Sequence, residues 1–227
     1  MSPAIEKPAT FFETHDSQQK DAKARIARRV FEKYLHEGDS IILDAGTTLY
    51  PIAEVIAEKT QKDPQKTHFT IMTHNYQGFE TLVHGVGRDA NLNIVLAGGR
   101  WDRDLNALFG PQTSMAYDKF FPRVVLLGVS GMMADHGLFC HGNTEELAVK
   151  QVIFRKGAQR RIIVADFTKL GVPDALCFGQ SQHLRANVEE CILITNTPST
   201  DDERVLSRFQ HEVDQLRSVY GVKVDPI

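Results

Sequence analysis

Short apolar runs alternate with segments of helical periodicity along most of this chain, and few folds accommodate that alternation. Residues 41–43, 69–73, 93–97, 124–129, 161–165 and 192–195 read as buried strands, with a last short one at 221–224. Between them, apolar side chains recur every three or four positions. The first such stripe is Ala22, Ile26, Val30, Phe31, Tyr34 and Leu35; Asp16 is placed to cap it, with Gln19 as its capping-box partner, and Gly38 stops it. Further stripes are Leu49, Ile52, Ala53 and Ile56; Tyr76, Phe79, Leu82 and Val83; Met115, Ala116 and Phe120; Leu147, Val149, Val152 and Ile153; and Val205, Phe209, Val213 and Leu216. Residues 100–108 form a polar, aromatic-containing segment. Strands alternating with helices imply an α/β fold: an open, mostly parallel, Rossmann-like sheet with helices on both faces. Residues 1–16, with two prolines and little periodicity, read as an arm, and 17–227 as one unit.

In such sheets, ligands bind beyond the carboxyl ends of the strands. This chain gathers small polar residues there: Asp44 to Thr48, Thr73 to Asn75, Gly98-Gly99, Gly128 to Gly131 and Asp166 to Lys169. The first group is the most informative. Asp44 ends a strand, Gly46 permits a sharp turn, Thr47 and Thr48 bring hydroxyls, and Pro51 sits where the first helical turn needs no donor. That junction aims free N–H groups and a helix dipole at one spot, which suits a phosphate or another anion. Read alone, it is equally a plain strand-to-helix turn. Lys169 would add a positive charge to a phosphate held there, or lie in a surface turn. Glu145 and Glu146 favour the positive end of their helix, and Glu146 is spaced to pair with Lys150 at i,i+4.

Composition narrows the classes. A net charge of −3 argues against a dominant non-specific grip on nucleic acid. No apolar run is long enough to span a membrane, and the N-terminus lacks a signal-peptide core, so a cytoplasmic protein is expected. Three separated cysteines, Cys140, Cys177 and Cys191, fit reduced thiols. His136, Cys140 and His141 lack the spacing of a metal site, and the glycine-rich loops match neither a dinucleotide fingerprint nor a P-loop, so neither metal nor cofactor is expected.

The stretch from Glu37 to Thr48 resembles the sensor-domain signature of DeoR-family, sugar-responsive transcriptional regulators. The resemblance continues through Thr73-His74-Asn75, Ala97-Gly98-Gly99, Phe109-Gly110-Pro111, Leu127 to Gly131, Gly137-Leu138 with Glu145-Glu146, and Ala165 to Gly171. It runs in order from about Gln19 to the end. It implies a fold shared with ribose-phosphate isomerases, a phosphorylated sugar or similar small anionic metabolite as ligand, and homo-oligomeric assembly. It implies that Gly46, Thr47 and Thr48 hold the phosphate with help from Lys169. Asp44, Asn75, Gly98, Gly99, Gly128, Glu145 and Asp166 would line the rest.

The family usually carries an N-terminal winged helix-turn-helix of about sixty residues, a small domain in itself. Only a short arm precedes the first helix here, so direct DNA binding by this chain is not expected. Ser130 stands where the family often has Asp, and Leu49 where it has Thr. The implied function is effector sensing. An isomerase-like enzyme is the alternative, with Asp44 or Glu145 as base and Lys150 or Lys169 as donor. A domain that oligomerises with full-length regulators is a third reading.

Overall fold

A computed structural model describes residues 19–65, 67–87 and 90–227; the arm at 1–16 and Asp16 lie outside them. In chain order the elements begin α1 (Lys20–Tyr34), β1 (Ser40–Leu43), α2 (Tyr50–Lys62), β2 (Phe69–Thr73), α3 (Tyr76–Gly85), β3 (Leu92–Leu96), β4 (Arg100–Asp102), β5 (Ala107–Phe109) and α4 (Pro111–Asp118). They continue β6 (Val124–Gly128), β7 (Gly131–Met133), β8 (Gly137–Cys140), α5 (Thr144–Arg155), β9 (Ala158–Val164), β10 (Leu176–Gln180), β11 (Val188–Thr195), α6 (Glu203–Ser218) and β12 (Lys223–Pro226). Among the described residues no helix is long and apolar enough to cross a membrane.

Seven strands form one sheet in the order β12-β11-β9-β6-β1-β2-β3, and every pairing in it is parallel. Because side chains alternate along a strand, β1 sends Ile41 and Leu43 to one face and Ile42 to the other. The first face is covered by α1, α2 and α3 through Ile26, Val30, Ile52, Ile56 and Leu82. The second is covered by α4, α5 and α6 through Tyr117, Val149, Ile153, Phe209, Val213 and Leu216. Each such buried aliphatic side chain contributes about 1.5–3 kcal/mol. The expected open parallel sheet with helices on both faces is the architecture found.

The strand order reverses at β1. The chain runs outward from β1 through β2 to β3, then returns to β6 on the other side of β1. Such a reversal leaves a crevice at the carboxyl ends of the two central strands. At the other pole, Arg160 donates twice to Asp39 at 3.1 Å, and the buried Arg161 guanidinium donates to backbone carbonyls including those of His183 and Ala186.

Several sequence expectations need correction. Helix α1 starts at Lys20, so Gln19 occupies the capping position itself, in a left-handed conformation and with no side-chain cap. Helix α4 ends at Asp118, two residues before Phe120. The polar segment 100–108 is a hairpin of β4 and β5, turned at Asn106 with φ +48°. A second, antiparallel sheet, β10-β8-β7, was not anticipated. Its strands are three to five residues long and rich in glycine, which hides the alternation that marks a strand.

Candidate functional site

The loop between β1 and α2 sits at the reversal. Gly46 has φ +128°, a conformation that side chains resist, and nothing crowds the position. The Leu49 and Tyr50 amides donate to the Gly46 carbonyl, both at 3.1 Å, closing the first turn. The amides of Gly46, Thr47 and Thr48 precede any intrahelical acceptor, and no carbonyl among the described residues takes them.

Asp44 shapes this loop from beneath. It is fully buried, and its carboxylate accepts from the Ala45 amide at 2.8 Å, the Gly128 amide at 3.0 Å and Lys150 Nζ at 2.5 Å. Lys150 also donates to the Gly128 carbonyl at 3.0 Å. One ion pair therefore ties α5 to the ends of β1 and β6. Burial opposes the Lys150 charge, but Asp44 and Glu146 outweigh it and raise its pKa. On the far side, His74 Nε2 lies 3.6 Å from Asp44, and His74 Nδ1 lies 2.8 Å from the Tyr117 hydroxyl. Burial lowers the His74 pKa to about 4, leaving a neutral ring. A Tyr117 hydroxyl that donates to Nδ1 sets the proton on Nε2, facing Asp44.

Above this foundation opens a cleft of about 780 Å³ including its mouth. Residues 45–49 form one wall, Gly128, Val129 and Ser130 the next, and Asp166, Thr168 and Lys169 another; Glu146 and Lys150 lie between them, and Gln19 and Lys23 close one side. Two polar atoms here are buried without a hydrogen-bond partner among the described residues: Ser130 Oγ and Glu146 Oε2. Burial raises the Glu146 carboxyl to about 7, with Lys150 pulling the other way. Lys23 is 3% exposed, and its Nζ donates to Thr47 Oγ1 at 2.9 Å. His141, also lining the cleft, pairs with Asp174 at 2.7 Å, while His136 pairs with Asp135.

The structure brings together Gly46, Thr47, Thr48, Gly128, Asp166 and Lys169 in this lining. Asp166 caps the short turn that carries Lys169, accepting from the Thr168 amide at 3.0 Å. Asp44 supports the lining without joining it. The remaining residues sit elsewhere. Asn75 caps α3, accepting from the Gly78 amide at 2.9 Å. Gly98 accepts from Thr113, and Gly99, with φ +141°, has no room for a side chain between Thr113 and Phe109, so this pair seats α4. Glu145 faces outward in an ion pair with Arg100. Glu146 does not take Lys150 as the i,i+4 spacing suggested, because Asp44 holds that ammonium. Lys23 is a charged cleft residue that sequence reasoning did not single out, and of the pair Glu145-Glu146 it assigned Glu145 to the lining where the structure places Glu146.

Comparison with known proteins places the chain in a family. A family model described as the DeoR C-terminal sensor domain matches residues 18–190. The chain is 26% identical over 147 residues to the transcriptional repressor AccR of Agrobacterium fabrum (strain C58 / ATCC 33970), covering 65% of this chain and 52% of that one. It is 26% identical over 155 residues to the HTH-type transcriptional repressor GlcR of Bacillus subtilis (strain 168), covering 68% and 53%. The chain thus spans about half the length of these relatives. Among solved structures, it is similar to ribose 5-phosphate isomerase A from Methanocaldococcus jannaschii, with a TM-score of 0.45 and 11% identity over 66% of this chain and 54% of that one.

Proposed function

The chain belongs to the DeoR C-terminal sensor domain family, and from that premise we propose that it binds a small phosphorylated sugar as the effector-sensing part of a transcriptional regulator. One observation carries the reading: a single cleft holds an anion-type loop, lysines, and two buried polar atoms that await a partner. The amides of Gly46 to Thr48 and the positive end of α2 suit a phosphate, with Lys169 adding charge. Ser130 Oγ and Glu146 suit sugar hydroxyls. An orphaned buried polar group costs about 1–3 kcal/mol, so a ligand that satisfies both gains specificity as well as affinity.

Calorimetric titration with a panel of aldose and ketose phosphates, and with the same sugars unphosphorylated, tests this. One phosphate ester should bind and its parent sugar should not, and combined Thr47→Ala and Lys169→Ala substitution should weaken binding at least tenfold. Unchanged affinity in the double variant would remove the site assignment.

A second reading has its own observation. A buried carboxyl near pKa 7 beside a lysine suits proton transfer between adjacent sugar carbons. In that reading Glu146 is the base, since Glu145 points outward and the Asp44 oxygens are fully engaged. Solvent deuterium entering a bound sugar phosphate would support turnover; its absence across the panel would leave sensing alone.

A further inference from the structure

We infer that the outer edge of β3, with the side of α3 that overhangs it, is a docking surface for a second copy of this chain, the two β3 strands pairing antiparallel about a two-fold axis at Ile94. The inference stands apart from the effector-binding reading and assigns a surface rather than a ligand.

The seven-stranded sheet ends in β12 on one side and β3 on the other. Edge strands are ordinarily blunted by charge or proline, because their free N–H and C=O groups pair with other chains. The β12 edge follows that rule with Lys223, Asp225 and Pro226. The β3 edge does not: Leu-Asn-Ile-Val-Leu at Leu92–Leu96 holds no charge, no proline and no glycine. Its inner side is spent on β2, where the Asn91 carbonyl accepts from Phe69 at 3.3 Å and the Ala97 amide donates to Thr73 at 2.8 Å. In a parallel ladder alternate residues face alternate sides, so Asn93 and Val95 also face β2. Leu92, Ile94 and Leu96 aim their amides and carbonyls outward, and no other described strand pairs there.

Helix α3 lies against β2 and β3. Its Gly78 and Gly85 turn toward α2, where an added Cβ would lie 3.6 Å from the Ala53 Cβ and 2.9 Å from the Ala57 Cβ. Helical spacing then sets Tyr76, Phe79 and Val83 on the side away from α2, above the β3 edge. Val83 is 42% exposed and Trp101 50% exposed, and the Tyr76 and Trp101 rings lie 6.2 Å apart. An aromatic and aliphatic strip thus runs beside a bare sheet edge. Glu80, accepting from the Tyr76 hydroxyl at 2.8 Å, gives it a polar rim.

Self-complementarity selects a second copy as the occupant. A two-fold axis at Ile94 sets Leu92 opposite Leu96, so every outward donor meets an acceptor, and it brings the two α3 strips side by side. A five-residue ladder alone is far smaller than the roughly 1,200 Å² that stable interfaces bury, and the paired strips supply the apolar core it lacks.

Sedimentation velocity and hydrogen exchange on the full chain test this, with Asn93→Glu and Val83→Glu as variants and Val219→Glu, an exposed apolar position on another face, as control. The wild type should dimerise at micromolar concentration, with exchange at the Leu92, Ile94 and Leu96 amides slowing several-fold as dimer forms. Asn93→Glu and Val83→Glu should each weaken dimerisation at least tenfold and lose that slowing, while Val219→Glu should match the wild type. Unchanged melting of each variant as monomer separates loss of association from loss of fold. A wild type that stays monomeric overturns the inference. So does a dimer that both edge variants form as tightly as the wild type, or one whose β3 amides exchange as fast as in the monomer.

Discussion

Three charged residues occupy positions that helical spacing assigns to the core. Lys23 falls in step with Ile26, Ala27, Val30 and Tyr34 on α1; Glu146 and Lys150 fall in step with Val149, Ile153 and Phe154 on α5. A charge on the apolar stripe is the signal that marks the cleft in the sequence, and reading Lys150 as a helix-surface partner of Glu146 passes over it. Its true partner, Asp44, is 106 residues away, beyond any local rule. Removing one member of a buried pair strands the other, at about 3–5 kcal/mol. Lys150→Met should therefore lower stability by about that amount, and Asp44→Asn with Lys150→Met should cost less than the sum of the single changes, as read from urea unfolding. Glu146 gives a second prediction. Its folded pKa, about 7, lies above its ordinary 4.5, so the folded chain holds a proton that the unfolded chain releases between those values. The associated stability is complete below about pH 4.5 and is lost as pH rises through 7. Glu146→Gln should abolish that loss and gain about 1–3 kcal/mol on the wild type at pH 8 relative to pH 5.

At the scale of elements, strands and helices of the main sheet are legible because their burial is one-sided or complete, and periodicity reports it. The strand at Phe69–Thr73 matches residue for residue, and the others shift by a few residues at their ends. The antiparallel sheet of β7, β8 and β10 is not legible, because its short strands owe their pairing to close approach at glycines. Gly131 and Gly137 face the backbones of Val172 and Gly179 with no space for a side chain. Gly46 differs: space is open, and only its φ requires glycine. Gly46→Ala should cost about 1–3 kcal/mol in strain and weaken phosphate binding by reshaping the loop, whereas the fold should survive. A Gly46→Ala protein that binds as tightly as the wild type would show that the loop's shape does not set affinity.

At the scale of the molecule, position follows from topology. Strand order reverses between β1 and β6, and both strand ends feed the same cleft, so the cleft proposed as the site lies where a doubly covered parallel sheet leaves its crevice. Asn75, Gly98, Gly99 and Glu145 belong to the same end of the sheet yet cap, pack or face outward; strand-end location alone does not separate lining from support, and only the packing of α3, α4 and β4 does. Thermal unfolding with each sugar phosphate and its parent sugar tests the effector-binding reading most directly. A phosphate ester at a hundred times its Kd should stabilise by about 2.7 kcal/mol, seen as a raised Tm, while the parent sugar leaves Tm unchanged. Equal shifts with and without the phosphate, or no shift with any member of the panel, would contradict a phosphate site at Gly46 to Thr48.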